Sequence, residues 1–205
     1  MRIAITGTTS GIGKSTKELL ESNGHKVLSI NRPEWDHHDL DHLSKLDLRG
    51  YDVLVLNAGH NLGRSKFIDA KYDSWLNIMK VNQLAPMLLT ELFMKSNPKG
   101  TIIYMTTHHD PGSSCGGAYH TAKYGLKFFI EQMRDETKDY RFVDFSLGRI
   151  KTKMRENWRV PLNDDLKNWT GKWGNAIDPD EIAVEVEHVI LNENISEIFV
   201  KHPKR

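Results

Sequence analysis

The chain has 205 residues, a net charge of +1 and a single cysteine. This length suits one domain with a substantial core, and the near-neutral charge gives no footprint for nucleic acid or a membrane surface. One cysteine excludes an internal disulfide, and no apolar stretch approaches the roughly 20 residues of a membrane span, so we expect a cytoplasmic protein.

Short apolar stretches alternate along the chain with stretches of helical spacing. Strands are predicted at 2–6, 26–30, 36–40, 52–56, 101–105, 142–147 and 195–200. Helices are predicted at 12–22, 72–94, 118–135 and 181–191. This alternation implies parallel strands with right-handed crossovers and helices on both faces. We predict a single α/β domain over 1–205, a three-layer doubly wound parallel sheet, with an irregular loop at about 154–177. Met1 leads directly into the first strand, which leaves no room for a signal peptide.

A glycine-rich turn, Gly7 to Gly13, joins the first strand to the first helix. Glycines there let the backbone approach a pyrophosphate, and the helix N-terminus offers free N–H groups. The same residues allow a rival interpretation, because Gly13-Lys14-Ser15 ends like a nucleotide triphosphate loop. That motif needs glycine where Thr8 stands, so the turn favours a dinucleotide.

Tyr119 and Lys123 lie four residues apart on a predicted helix and so share a face. An ammonium near a phenol favours the phenolate and brings proton transfer by the tyrosine closer to neutral pH. Such a pair is by itself more often a surface pair. Here it follows the glycine turn and an Asn57-Ala58-Gly59 at the end of a strand, and the three together indicate a catalytic site.

Several motifs in order along the chain resemble those of the short-chain dehydrogenase/reductase family. They are Thr6-Gly7-x-x-x-Gly11-Ile12-Gly13, Asn57-Ala58-Gly59, Asn82, Tyr119-x-x-x-Lys123, Gly148-x-Ile150-x-Thr152 and Pro179-Asp180-Glu181-Ile182-Ala183. Leu147 stands where the family usually has proline, and the chain is shorter than usual. The resemblance implies a Rossmann-type dinucleotide-binding fold and hydride transfer between NAD(P) and a small-molecule alcohol or carbonyl.

The resemblance also implies roles for the candidate catalytic residues. Tyr119 would give its proton to the carbonyl oxygen, Lys123 would lower the Tyr119 pKa and bind the nicotinamide ribose, and Asn82 would support a water in the proton relay. Threonine replaces the serine that the family places after the strand. The strand register selects Thr107 and the usual spacing to the tyrosine selects Thr106; we favour Thr107.

The end of the second strand bears on the choice of cofactor. Asn31-Arg32 offers no carboxylate for a ribose 2′-hydroxyl, and a guanidinium suits a 2′-phosphate, so NADP is favoured, with NAD possible. Asp39 and Leu40 would contact the adenine by the same resemblance. The complete set of implied cofactor contacts is Gly7, Thr9, Ser10, Gly11, Ile12, Gly13, Asn31, Arg32, Asp39, Leu40, Asn57, Ala58, Gly59, Tyr119, Lys123, Gly148, Ile150 and Thr152.

The remaining polar and aromatic residues leave alternatives open. The histidines at 37, 38 and 42 cluster, but neighbouring aspartates make a solvated loop the plainer interpretation, so we expect no metal. His60, His108 and His109 either line the substrate pocket or are polar loop residues. Cys115 has no nearby base that would make it a nucleophile. Trp158, Trp169 and Trp173 either shape an apolar pocket or pack beneath a loop.

Two further expectations concern assembly and turnover. The family resemblance implies a homodimer or homotetramer built on the helices that hold Asn82 and Tyr119. The alternative function is a cofactor-binding regulator of the same fold without turnover; the Tyr119/Lys123 pair argues against it, and the threonine substitution keeps it open. The sequence does not name the substrate.

Overall fold

Six parallel strands form one sheet in the order β2-β1-β3-β4-β5-β6. The computed structural model describes residues 1–61, 67–108, 116–148, 150–154 and 176–200. The strands are β1 (Arg2–Thr6), β2 (Lys26–Ile30), β3 (Val53–Leu56), β4 (Gly100–Thr107), β5 (Tyr140–Leu147) and β6 (Glu197–Val200). The helices are α1 (Gly11–Ser22), α2 (Leu40–Leu43), α3 (Tyr72–Met79), α4 (Ala85–Ser96), α5 (Gly117–Glu136) and α6 (Pro179–Leu191). A 3₁₀ turn (Phe67–Asp69) precedes α3, and a π-helical turn (Lys80–Leu84) joins α3 to α4.

The order of the strands fixes where a ligand can bind. The chain runs from β1 outward to β2 and then returns to place β3 on the other side of β1. The carboxyl ends of β1 and β3 therefore flank the point at which the connections diverge, and ligands of doubly wound sheets bind in that crevice. The glycine turn follows β1 and Asn57-Ala58-Gly59 follows β3, so both motifs lie at this edge.

Each face of the sheet has its own apolar core, as expected for buried parallel strands. On one face, side chains such as Ile5 and Val143 pack against Leu20 of α1 and Val186 of α6. On the other face, Leu54, Ile102 and Tyr104 pack against Phe93 of α4 and Leu126 of α5. The prediction of a three-layer doubly wound α/β fold is confirmed.

One predicted strand, at 36–40, is wrong. The segment is a polar turn that leads into α2, and the Asp39 side chain accepts a hydrogen bond from the backbone N–H of His42 as the N-cap. A capping aspartate stabilises the start of a helix and competes with extended pairing. Because the predicted strand at 36–40 does not form, Asn57-Ala58-Gly59 follows the third strand of the chain and not a fourth one.

The single helix predicted at 72–94 is interrupted at the π-helical turn. Pro86 explains this interruption of the helix. Proline has no N–H to donate to the carbonyl of Asn82, four residues earlier, and its ring crowds that carbonyl. The backbone widens, and the N–H of Ala85 bonds to the carbonyl of Lys80, five residues back. The other predicted helices and strands form within a few residues of their expected bounds. Across the described ranges, no helix combines the length and apolarity needed to cross a membrane.

Candidate active site

The glycine turn is held in place by the motif that follows β3. The Asn57 amide donates to the carbonyls of Thr6 and Gly7, each at 3.0 Å. In return, the Thr6 hydroxyl accepts from the N–H groups of Asn57 at 2.9 Å and Ala58 at 2.8 Å. These four bonds join the carboxyl ends of β1 and β3 and satisfy backbone groups that the end of the sheet would leave unpaired.

The turn leaves room for an anion at the start of α1. Gly7 and Gly11 have φ values of +73° and +55°, a region that other residues adopt only under strain. Ser10, the N-cap, makes no side-chain capping bond, so the first N–H groups of α1 remain available. Because such N–H groups bind phosphates, the turn fits the pyrophosphate of a dinucleotide.

A cleft of about 680 Å³ adjoins this helix terminus. Its walls include Ser10 and Lys14 on one side and Lys151 and Thr152 on the other. Lys14, which the rival triphosphate motif would require on a phosphate, is exposed and lies 3.6 Å from Glu18. The predicted residue Thr152 thus lies opposite the predicted glycine turn.

Asn31 and Arg32, at the end of β2, have different surroundings. The Asn31 amide accepts from the Thr8 N–H at 2.8 Å and donates to the Thr8 hydroxyl at 2.7 Å, so it braces the glycine turn. Arg32 is exposed at the same edge of the sheet. Asp39, for which the resemblance implies a contact with adenine, uses its carboxylate to cap α2.

Asn82 is fully buried within the π-helical turn. Its amide donates to the carbonyls of His60 at 2.7 Å and Ile78 at 2.8 Å, and its oxygen accepts from the His60 N–H at 3.2 Å. The side chain therefore ties the end of α3 to the loop after β3, next to Gly59.

Tyr119 and Lys123 lie on one face of α5, as predicted. The Lys123 ammonium is 6.0 Å from the centroid of the Tyr119 ring and donates a 2.7 Å hydrogen bond to the carbonyl of Met105 in β4. Lys123 is only 3% exposed. The pair therefore faces the carboxyl ends of the central strands.

In the chain without cofactor, burial has the largest effect on the pKa values of both Tyr119 and Lys123. Burial raises the pKa of Tyr119 to about 12 and lowers the pKa of Lys123 to about 8. In both groups desolvation of the charged form is the largest influence. For Lys123, the negative charge of Asp144 opposes the effect of burial.

The two threonines at the end of β4 have different environments. Thr106 is 2% exposed and its hydroxyl donates a short hydrogen bond to the carboxylate of Asp144. Thr107 is half-buried, and its hydroxyl makes a long 3.4 Å bond to the carbonyl of His108. The hydroxyl of Thr107 is thus the one with room to meet a substrate.

A buried polar cluster, which the sequence analysis did not predict, lies behind this site. Asp144 in β5 is 4% exposed and lies 3.1 Å from the ammonium of Lys127, which also donates to the Ser146 hydroxyl at 2.9 Å. Two sequence signals point to it. Lys127 continues the four-residue spacing of Tyr119 and Lys123, and Asp144 interrupts an otherwise apolar strand.

The histidines considered as metal ligands make separate contacts. His37 bonds to the carbonyl of Ile30 at 3.2 Å, His38 lies 2.8 Å from the Asp36 carboxylate, and His42 stacks on Trp35. Within the described part of the chain, no group of three or more potential ligands converges.

His60 stands beside the cofactor crevice. Its ring meets that of His38 edge-on at 5.3 Å, and burial lowers its pKa, assisted by the neighbouring side chains of His38 and Arg32. The predictions for His109, Cys115, Trp158, Trp169 and Trp173 lie outside the described residues.

The site therefore combines a glycine turn at a helix N-terminus, a buried lysine next to a tyrosine, and a half-buried threonine hydroxyl at one edge of a parallel sheet. Such a combination defines a dinucleotide-dependent enzyme that manages a proton beside the cofactor. The chain matches the family described as short chain dehydrogenase over residues 41–162. The protein belongs to the short-chain dehydrogenase/reductase family and is an NAD(P)-dependent oxidoreductase.

Individual relatives agree over nearly the whole chain. It is 23% identical to benzil reductase ((S)-benzoin forming) of Bacillus cereus, with 93% of this chain and 94% of that protein covered. It is 28% identical to an NADP-dependent 3-hydroxy acid dehydrogenase of Schizosaccharomyces pombe, over 98% of this chain and 92% of the other. Among solved structures, an alcohol dehydrogenase of the archaeon Thermococcus sibiricus, in complex with 5-hydroxy-NADP, superimposes with a TM-score of 0.74 at 18% identity over the full length of both chains. That structure shares the fold.

Proposed function

We propose that the protein reduces the carbonyl group of a small molecule with NADPH, or oxidises the corresponding alcohol, and that Tyr119 is its proton donor. The observation that carries this proposal is the position of Tyr119 and Lys123. They share the face of α5 that meets the carboxyl end of β4, and the glycine turn follows β1 at the same edge of the sheet. The cofactor would supply the hydride, and the protein the proton.

The protonation states of the two side chains suit reduction. A Tyr119 pKa of about 12 keeps the phenol protonated at neutral pH, as a general acid must be before it gives its proton to a carbonyl oxygen. A Lys123 pKa of about 8 leaves most of the ammonium charged at pH 7. That charge would stabilise the phenolate that remains after proton transfer.

Two further side chains complete the proposed site. Thr107 would donate a hydrogen bond to the substrate oxygen, because its hydroxyl is accessible, whereas the hydroxyl of Thr106 is bound to Asp144. Asn82 would act through position, since its amide is bonded to His60 and Ile78. The π-helical turn around Asn82 is a supporting observation, because such turns occur frequently at functional sites.

NADPH is the proposed cofactor. Arg32 is exposed after β2 at the crevice, where a guanidinium would bind a 2′-phosphate through two hydrogen bonds. The relative from Schizosaccharomyces pombe is an NADP-dependent enzyme. The remaining implied contacts, from the glycine turn to Thr152, would hold the pyrophosphate and nicotinamide halves.

Purified protein tests the proposal directly. Loss of reduced nicotinamide absorbance would be followed with NADPH and NADH over a panel of aldehydes and ketones that includes benzil and 3-oxo acids, chosen from the activities of the relatives. We expect turnover with NADPH and a loss of at least about 100-fold in Tyr119→Phe. Binding of NADPH without turnover on any carbonyl would instead favour a regulator, and an unaffected Tyr119→Phe variant would remove Tyr119 from the mechanism.

Assembly and location complete the proposal. A homodimer or homotetramer would form through the faces of α4 and α5, where the apolar side chain of Phe128 is 67% exposed beside exposed Tyr124. Light scattering of Phe128→Asp would then show a smaller species than the parent protein. We further propose one domain over 1–205 and a cytoplasmic location suited to a chain with a single cysteine.

A further inference from the structure

A carboxylate is buried directly behind the proposed catalytic lysine. Asp144 is 4% exposed in the middle of β5, a position where an isolated charge would be costly. Its two oxygens have separate partners. One accepts from the Thr106 hydroxyl, and the other lies 3.1 Å from the Lys127 ammonium.

Hydrogen bonds place Lys123 next to this carboxylate. The Lys123 ammonium donates to the carbonyl of Met105, and the peptide that contains this carbonyl continues into Thr106, whose hydroxyl bonds to Asp144. Lys127, the other partner of Asp144, lies one turn further along the same face of α5. Asp144 therefore contacts Lys127 and Thr106, and Lys123 binds the carbonyl of the residue that precedes Thr106.

Asp144 offsets part of the positive charge of the cluster. The ammonium groups of Lys123 and Lys127 lie on successive turns of α5 against the sheet, and Asp144 is the only buried acidic residue in the described part of the chain. Of the other groups that face the cluster, Tyr119 is neutral at pH 7, and Glu197 of β6, in register with Asp144, is exposed to solvent. An exposed charge is well screened, whereas Asp144 acts across a region of low dielectric constant.

We propose that Asp144 is a positioning residue whose carboxylate, held by Lys127 and Thr106, keeps the Lys123 ammonium charged in its buried site beside Tyr119. Asp144 touches neither substrate nor cofactor in this scheme. It acts through Lys123, and its negative charge opposes the desolvation that lowers the Lys123 pKa. The inference rests on the proposed role of Lys123 in turnover, but its test does not require turnover.

The test measures the titration of Lys123 in protein without cofactor. Protein labelled with ¹³C,¹⁵N-lysine would be titrated by NMR, and the Cε resonance of Lys123 identified by its loss in Lys123→Met. In Asp144→Asn, which keeps the size of the side chain and an acceptor oxygen, we expect the midpoint to fall by about one pH unit or more. In Lys127→Met, removal of the neighbouring positive charge would move the midpoint upward. The alkaline limb of the pH profile of kcat/KM would shift in the same direction in each variant.

Glu197→Gln is the matched control, because it removes the exposed carboxylate in register with Asp144 and should leave the Lys123 midpoint unchanged. An unchanged midpoint in Asp144→Asn, with only lower stability, would overturn the proposal and leave Asp144 as a structural ion pair. If Asp144→Asn does not fold, Asp144→Ser, which removes the charge but keeps a hydroxyl, should give the same downward shift, and its absence overturns the proposal. Absence of turnover in the parent protein, with the expected NMR shifts intact in the variants, would instead count against the proposed function.

Discussion

Asn82 and His60 exchange two hydrogen bonds across the active-site edge of the sheet. The Asn82 amide donates to the carbonyl of His60 at 2.7 Å and its oxygen accepts from the His60 N–H at 3.2 Å. A third bond runs to the carbonyl of Ile78 at 2.8 Å. One buried amide thus satisfies three backbone groups and joins the π-helical turn to the loop after β3.

Replacing this amide should destabilise the protein. In Asn82→Ala two carbonyls and one N–H each lose a hydrogen bond in a buried or partly buried site, and a polar group left unpaired by burial costs about 1–3 kcal/mol. We expect the free energy of unfolding, measured with urea, to fall by at least about 2 kcal/mol. Asn97→Ala is a useful comparison, because Asn97 also bonds two backbone carbonyls, those of Leu48 and Phe93, far from the catalytic edge.

The two variants should differ in kinetics. Both lose stability, but only Asn82→Ala should reduce kcat at a temperature where the protein remains folded, because only Asn82 borders the crevice. Equal kcat values in the two variants would limit Asn82 to a role in folding.

The hydroxyls of Thr106 and Thr107 should be separable by experiment. Valine has nearly the shape of threonine but no hydroxyl. Thr107→Val should therefore lower kcat by about 10²-fold or more with little change in stability, as for a donor that binds developing charge on the substrate oxygen. Thr106→Val should lower the free energy of unfolding by about 1–3 kcal/mol, because it leaves the buried Asp144 with one partner fewer.

Steady-state kinetics and urea unfolding of both variants would check this pair of outcomes. A large loss of kcat in Thr106→Val, with Thr107→Val fully active, would assign the family's serine role to Thr106.

Local patterns predicted most of the fold. The apolar runs that became β3 and β4 and the motif residues from Gly7 to Lys123 carry their signals within a few neighbours, so sequence alone placed them at one edge. The break between α3 and α4 was also encoded, in Pro86, but the prediction gave more weight to the continuous helical spacing.

Other features depend on tertiary structure. Asp144 meets Thr106, which is 38 residues away, and a pattern of apolar residues in a strand does not reveal such a partner. The Tyr119 pKa was predicted from the adjacent lysine, yet burial, which only the complete fold determines, has the larger effect.

The buried Lys123 should make stability depend on pH. Its pKa is about 8 in the folded chain and about 10.5 in the unfolded chain, so between these values the unfolded state holds more protons. The free energy of unfolding contributed by Lys123 therefore rises with pH over this window, by up to about 3 kcal/mol, and the full penalty applies below pH 8. Above pH 10, the raised pKa of Tyr119 acts in the opposite direction, because the folded state then retains the proton.

The measurement is urea unfolding of the parent protein and of Lys123→Met between pH 7 and 10, without cofactor. We expect the difference between the two to diminish as the pH rises, with the variant relatively more stable at pH 7. A difference that stays constant over this range would show that Lys123 titrates normally.

Arg32 should determine the preference for NADPH. Because its exposed guanidinium would bind only the 2′-phosphate, Arg32→Ala should raise the Kd for NADPH by about 10-fold or more, which corresponds to the loss of a charge-assisted bond of about 1.5–3 kcal/mol. The Kd for NADH should hardly change. Isothermal titration with both cofactors would measure the two values.

Arg49→Ala is the matched control, because Arg49 is an exposed cation that pairs with Asp47 before β3, at the opposite edge of the sheet. Equal weakening of NADPH and NADH binding in Arg32→Ala would assign Arg32 a general electrostatic effect and leave the preference for NADP unexplained.

Gly13 should tolerate no side chain. A Cβ atom there would lie 2.2 Å from the carbonyl oxygen of Gly7 and 2.4 Å from the amide nitrogen of Asn57, so α1 would have to move away from the turn. The first contact is with backbone, which cannot rotate aside. Gly13→Ala should therefore disrupt the bonds from Asn57 to the turn, reduce NADPH affinity by at least about 10-fold and lower the free energy of unfolding by about 2 kcal/mol or more.

Gly24→Ala is the control that separates this clash from the general effect of replacing glycine by alanine. Gly24 has open space around it and a φ of +83°, so its variant should lose only about 1 kcal/mol of unfolding free energy and bind NADPH normally. Cofactor titration and urea unfolding of both variants would decide, and normal NADPH affinity in a folded Gly13→Ala would mean that the glycine turn does not hold the pyrophosphate.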